Sequence, residues 1–253
     1  MLLTQMQTRL RAADEFDKLD REQEQAPDRK VTAHPNPRIR EFLKGFQDLA
    51  RIPLTNLSII DMWKISDIME DARGIAIPDQ CTEKEVQQVA IALEPYQNMP
   101  LFRLRAGLYL SLLINRTQED RVSLSVHGLE DALDCLGTSL EGKTLEIRGN
   151  VGVSLGREMK RGQIHLYGNS GDQTGFHMQG GEIIIEGNTG NYLGSHTRCG
   201  IIEVTGSAGK GVGFDTGEGT EIFIEGEYKS IHPMARGDIY HKGILVWRGG
   251  RQV

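Results

Sequence analysis

Cysteine, proline, aromatic residues and long apolar runs are all scarce in this chain. Its 3 cysteines, Cys81, Cys135 and Cys199, stand far apart with no CxxC pair. That spacing excludes a disulfide framework and a thiolate zinc site, and leaves buried or incidental thiols. No apolar run is long enough to span a bilayer, and Met1 to Gln25 lacks the apolar centre of a signal peptide. A cytoplasmic chain without a membrane span is expected. Positive charge is not in excess either: 29 basic against 35 acidic residues leave a net charge of -6. No general attraction for phosphate backbones follows, so nucleic acid is not an expected partner. With 8 prolines and 38% hydrophobic residues among 253, the chain holds enough apolar material for one or two cores.

What is plentiful is glycine, and it is unevenly placed. Of 30 glycines, 3 lie in residues 1–117 (Gly45, Gly74 and Gly107), which leaves 27 in residues 118–253. Two differently built parts are expected. In the glycine-poor part, Leu3, Met6, Leu10 and Ala13 fall at helical spacing in a charged, glutamine-rich background, which predicts an exposed amphipathic helix over 2–25. Pro27, Pro35 and Pro37 then suit an extended linker, so 1–36 reads as helix and linker. From Pro37, residues Ile39, Phe42, Leu43, Phe46 and Leu49 share one helical face. A second stripe runs through Ile60, Met62, Ile65, Ile68, Met69 and Ala72 over 56–73, and Gly74 is suited to end it. Thr82 and Glu85 form a capping box that begins a third helix. Residues 100–115 are apolar nearly all round and belong inside the bundle, which gives a helical domain over 37–117. Arg103 and Arg105 lie within that last helix, where a guanidinium needs a carboxylate such as Asp67 or Glu70, or several carbonyls. Nothing in this half forms a catalytic pattern.

From Gly142 onward the sequence repeats every 19 positions. One glycine column runs Gly149, Gly168, Gly187, Gly206; a second runs Gly152, Gly171, Gly190, Gly209; a third runs Gly156, Gly175, Gly194, Gly213. Between them lie short alternating segments: Leu145 and Ile147, Ile164 and Leu166, Ile183 and Ile185, Ile202 and Val204, then Ile222 and Ile224 after one inserted residue. Five-residue strands cannot bury an apolar face alone, but parallel strands stacked in register enclose a continuous interior. The expected fold is therefore α+β: a helical domain followed by a right-handed parallel β-helix, a single-stranded solenoid of 19-residue coils. Each coil rises about 4.8 Å, so columns in sequence become ladders in space. Corner glycines are needed for positive φ or close approach and should resist replacement. Asn150, Asn169, Asn188 and Ser207 make a structural polar ladder. Each pair of inward aliphatics contributes about 3–6 kcal/mol by burial, offset by the entropy of ordering a coil, so the ends need closing. Val122, Leu124 and Val126 predict an earlier strand, followed by a helical insertion over Leu129, Leu133 and Leu136. The helical half is expected to cover that open end. Ile244 and Val246, in 227–253, are expected to supply a last strand at the other.

The recurring frame GN-x-G-x-x-x-G-x-x-M-x-x-G-x-I-x-I-x-G, standing here as Gly168-Asn169 through Met178, Gly181 and Gly187, resembles the GXGXG β-helix. That domain closes the large chain of glutamate synthase and also makes up one of the subunits of formylmethanofuran dehydrogenase. The resemblance covers residues 118–253 and implies a scaffold that braces neighbouring domains or subunits while chemistry occurs elsewhere. It implies larger catalytic subunits as partners, and no catalytic, cofactor-binding or metal-binding residue in this chain. The family's methionine column persists at Met159 and Met178 and becomes Thr197 and Thr216. Residues 1–117 lie outside the resemblance.

One column is ionisable in four coils: Glu158, His177, His196 and Asp215. Stacked nitrogen and oxygen donors could ligate a divalent ion or trade protons, the basis of a rival reading as a metal-dependent hydrolase or lyase. The plainer reading is a solvent-facing ladder in which Glu158 supports His177 and Asp215 supports His196. His165 beside Tyr167 reads as surface. His232 and His241, with Tyr228, Tyr240 and Trp247, read as packing of the C-terminal segment. A phosphate loop is not expected, because strands and not a helix follow the glycines, and no serine nucleophile elbow is expected. The leading expectation is a non-catalytic scaffold or assembly subunit of an oxidoreductase or one-carbon-transfer complex. A self-associating structural protein is the third reading.

Overall fold

Asn36 starts the first helix by accepting the Ile39 amide at 2.9 Å, and Pro37 fills a first-turn position whose N–H would go unused. The computed structural model describes residues 36–52, 65, 69, 74–75, 77–78 and 80–253. The arm expected at 2–25, the linker up to residue 35, and Asp67 and Glu70 lie outside the described residues. Of the stripe expected over 56–73, only Ile65 and Met69 are described, and both are buried.

Helix α1 (Pro37–Arg51) buries Ile39, Phe42, Leu43, Phe46 and Leu49, the face its spacing predicts. Helix α2 (Glu83–Ala92) carries both halves of the capping box: Glu85 N donates to Thr82 Oγ1 at 3.3 Å and Thr82 N to Glu85 Oε2 at 2.9 Å. Helix α3 (Phe102–Arg116) is buried along most of its length. Phe46 of α1 meets Phe102 and Tyr109 of α3, and Tyr96 in the turn that follows α2, edge-on at 6.4, 5.6 and 5.5 Å.

The arginines of α3 find the two kinds of partner expected, carbonyls for one and a carboxylate for the other. Arg105 donates to the carbonyls of Ala50 and Ile52, where the end of α1 leaves oxygens without helical partners and a partial negative charge. Arg103 pairs with Asp134 at 2.9 Å and donates to the Ala132 carbonyl at 2.8 Å. Arg103 heads a seam at four-residue spacing. Gly107 lies so close to the coil that a Cβ would sit 1.9 Å from the Asp134 oxygen. Ser111 Oγ donates to Gly107 O at 2.6 Å, lies 3.2 Å from Cys135 O and accepts from Thr138 N at 3.2 Å, and Asn115 Nδ2 donates to Thr138 O at 3.2 Å. One polar and small-residue stripe on an apolar helix thus glues α3 to coil backbone.

The nine strands form one sheet in chain order: β1 (Arg121–Ser125), β2 (Glu141–Arg148), β3 (Arg161–Tyr167), β4 (Glu182–Ile185), β5 (Cys199–Val204), β6 (Gly219–Ile224), β7 (Asp238–His241), β8 (Ile244–Arg248) and β9 (Arg251–Gln252). Strands β1 to β7 are parallel. Val122, Leu145, Ile164, Ile183, Ile202, Ile222 and Ile239 pair in succession, an unbroken apolar column. Ile202 meets Ile222, so the inserted residue is absorbed before β6. A parallel β-solenoid with coils spaced 19 residues apart is the result.

The helical insertion expected after β1 is absent. Leu133, Leu136 and Leu140 are buried at helical spacing, but they point into the first coil's interior. Cys135 N donates to Val153 O and Ser139 N to Arg157 O, both at 2.8 Å. Cys135 (φ 59°) and Ser139 (φ 54°) match Ser154 (φ 59°) and Glu158 (φ 54°) one coil on. Gly137 (φ 74°) begins the third glycine column a coil earlier than Gly156 (φ 66°). Alternating left-handed positions cannot lie in an α-helix.

The departures from the methionine column have a backbone cause. Thr197 Oγ1 donates to Gly175 O at 2.8 Å, and Thr216 Oγ1 accepts from Arg236 N at 3.1 Å and Gly237 N at 3.2 Å. The Thr197 hydroxyl serves a corner of the coil before it, and the Thr216 hydroxyl the irregular last coil. Beyond β7 the chain reverses through Lys242 (φ 52°) and Gly243 (φ 75°), two left-handed residues that suit a tight hairpin. Strand β8, containing Ile244 and Val246, returns antiparallel to β7, and Gly249 and Gly250 turn the chain again into β9. A single apolar cluster runs from Ile39 in α1 to Ile239 in β7.

Candidate functional site

Two polar ladders rise along the solenoid corners. Asn169 donates from its backbone N (2.9 Å) and its Nδ2 (3.0 Å) to Asn150 Oδ1; Asn188 repeats this onto Asn169 at 2.8 and 3.2 Å. Ser207 N continues it onto Asn188 Oδ1 at 2.8 Å. The second ladder is not among the features expected from the sequence. Val153 N donates to Asp134 Oδ1 at 2.9 Å, Asn191 N to Asp172 Oδ1 at 2.7 Å and Lys210 N to Asn191 Oδ1 at 3.1 Å. Its signal is the column Asp134, Asp172 and Asn191, interrupted by Val153.

The ionisable column lies on a left-handed corner. Glu158, His177, His196 and Asp215 have φ of 54, 55, 58 and 53°. Histidine and aspartate are among the residues that tolerate this region best, so the backbone gives one reason for their presence. The rings of His177 and His196 stack 4.9 Å apart, 6° from parallel. His196 Nδ1 lies 3.0 Å from Asp215 Oδ2, the support expected from the column. Glu158 Oε1 accepts from Arg157 Nε at 3.1 Å.

Arg157 is the residue that the sequence does not single out. Its side chain is 0% exposed, its guanidinium lies 4.6 Å over the Phe176 ring, and burial works against its charge. Phe176 meets His177 edge-on at 4.4 Å, and Phe214 lies 4.9 Å from His196 and 4.4 Å from His232. His177 is pushed down to about 4. Loss of water on burial is the main cause, followed by the positive charges of His196, Arg157 and Arg198, with Asp215 opposing. Its imidazole is neutral near pH 7.

Parallel rings set their nitrogens side by side. Convergent ligation needs donors aimed at one point. Among the described residues no group of three or more His, Cys, Asp or Glu is placed to hold a metal ion. His165 lies on the outer strand face, stacked on Tyr167 at 4.1 Å and 3.1 Å from Glu186. His232 Nδ1 accepts from Met234 N at 3.2 Å, His241 Nε2 lies 2.9 Å from Gly226 O, and Trp247 Nε1 donates to Ala235 O at 2.8 Å. These contacts are packing of the C-terminal segment.

Although neither a phosphate loop nor a serine elbow is expected, two strings do match those patterns, and the fold disarms both. Gly137 to Thr144 spells GxxxxGKT, yet its last four residues belong to β2 and no helix follows. Lys143 Nζ donates to the carbonyls of Thr117 at 2.6 Å and Glu119 at 3.0 Å, closing the end of α3. Gly152 to Gly156 spells GxSxG, but Ser154 is 0% exposed on a corner that leads to β3.

Among the described residues no helix is long and apolar enough to cross a membrane. Compared with known proteins, the chain matches no family model, no curated protein and no solved structure.

Proposed function

We propose that this chain is a non-catalytic scaffold or assembly subunit of a larger oxidoreductase or one-carbon-transfer complex, in the manner of the GXGXG β-helices that its glycine frame resembles. The observation that carries the reading is where the polar side chains go. Asn150, Asn169 and Asn188 bond to the next coil at 19-residue intervals, and the one ionisable column stacks its rings face to face. Carboxamides and imidazoles spent on fastening coils do not converge on a reacting atom. What remains is a rigid stack with long, regular faces, suited to holding larger subunits in fixed geometry.

The test is affinity purification of a tagged full-length chain from its source cells, followed by native mass spectrometry. Co-purification of larger subunits in fixed stoichiometry is the expected result. A bare monomer under gentle conditions would overturn the reading. A closed oligomer of this chain alone would replace it with the self-associating one. The hydrolase reading requires stoichiometric metal by elemental analysis, together with activity lost in His177→Ala.

A further inference from the structure

Helix α2 closes the first edge of the sheet, where Ser123 N donates to Glu83 Oε1 and Ser125 N to Gln87 Oε1, both at 2.7 Å. The outward face of the later strands carries a different pattern. Across β4, β5 and β6, with the residue that follows each, the outward positions hold five glutamates, Glu182, Glu186, Glu203, Glu221 and Glu225, and no lysine or arginine. Glu186, Glu221 and Glu225 are exposed. The cations at the borders have partners of their own: Arg121 pairs with Glu146 at 3.0 Å, Lys242 with Glu227 at 2.6 Å and Arg248 with Asp238. Mixed signs would serve a merely solvated face better, since like charges on one sheet face repel. Between the two outer carboxylate columns runs an apolar one. Ile184 is buried on this outward side, and Phe223 and Tyr240 stack 4.5 Å apart and 8° from parallel.

We propose that this face docks a basic amphipathic helix of a larger subunit, laid along the axis of the stack. The inference rests on the scaffold reading and names the chemistry of the partner. Glu182 and Glu221 lie two rungs apart in one outer column, about 10 Å, and Glu186 and Glu225 match them in the other, about 13 Å away along the strands. A helix is about 10 Å wide and repeats a face every seven residues, about 10.5 Å. Lysines or arginines at that interval on both flanks therefore meet the four carboxylates. The apolar stripe between them advances about 5 Å per contact, close to the 4.8 Å rung spacing, and meets the column of Ile184, Phe223 and Tyr240. Glu203 interrupts that column, so the helix carries a basic or hydrogen-bonding side chain opposite it.

The probe is a synthetic amphipathic helix with leucines on one face and lysines at seven-residue intervals along both flanks, titrated into the isotope-labelled full chain. Amide shift changes should be confined to β4–β7. Glu182→Gln, Glu221→Gln and Glu225→Gln combined should weaken binding about tenfold or more. Glu94→Gln, Glu130→Gln and Asp131→Asn, at exposed positions outside the sheet, change the net charge equally and should leave binding within about twofold. Phe223→Thr, a side chain suited to an outward strand position, should weaken it about fivefold. Absence of binding would overturn the proposal. So would equal weakening by the two triple variants, which would reduce the interaction to net charge, and so would shift changes centred outside β4–β7. The assay needs no native partner, so its failure leaves the scaffold reading to be decided by co-purification alone.

Discussion

At the scale of single residues, what a position tolerates is set by the coil below it. A Cβ on Gly171 would lie 2.8 Å from Gly152 C, 2.9 Å from Gly152 O and 3.0 Å from Val153 N, all of them backbone atoms that cannot rotate aside. Gly171→Ala should therefore cost about 2–3 kcal/mol in denaturant-midpoint measurements, far more than an alanine replacement at an open glycine such as Gly128. His177 gives a pH-dependent case. Its value of about 4 in the folded chain lies below the ordinary 6.5, so the unfolded chain takes up the proton first as the solution is acidified. The contribution is complete above pH 6.5 and is lost as pH falls toward 4, a loss on the order of 1–3 kcal/mol. His177→Asn keeps a side chain suited to left-handed backbone and removes the titration. Its melting temperature should fall less than the wild type's across that window, and equal slopes would refute the assignment.

At the scale of elements, the ladders make the next prediction. Asn169 Oδ1 accepts from both the backbone N and the Nδ2 of Asn188, so Asn169→Ala should cost about 1–2 kcal/mol. Asn169→Asp keeps the acceptor toward Asn188 but sets a carboxylate oxygen against Asn150 Oδ1, so it should not restore the loss; urea titrations of both variants provide the check. Elements whose signal recurs are legible in the sequence: the glycine columns, the paired aliphatics, the asparagine ladder and the Thr82–Glu85 box. The first corner misleads because Leu133, Leu136 and Leu140 carry a helical period, while Gly137, the register signal, is a lone glycine one coil ahead of its column. Arg157 escapes notice because its column reads Thr138, Arg157, Phe176, Ser195 and Phe214, with no shared chemistry. The α3 seam is hidden for a related reason. Gly107, Ser111 and Asn115 look like blemishes in an apolar helix until the backbone of residues 134–141 lies against them.

At the scale of the whole molecule, the repeat lets length be adjusted in whole periods. Deleting residues 168–186 removes one 19-residue period and lets Ile164 stack on Ile202, so the shortened chain should keep its far-ultraviolet circular dichroism. Deleting the same residues together with His165 takes one residue out of a strand, where no corner absorbs the change as one does before β6, and turns either Ile164 or Leu166 away from the interior, so that chain should be markedly less stable. Equal behaviour of the two deletions would refute the stacking register. The hairpin through Lys242 and Gly243 adds a constraint of another kind. Because the chain doubles back there, the far end cannot template another rung in the direction the earlier ones follow. A taller version of this molecule must be made from within, by copying a turn between its fixed ends, as a column is raised by adding drums beneath its capital.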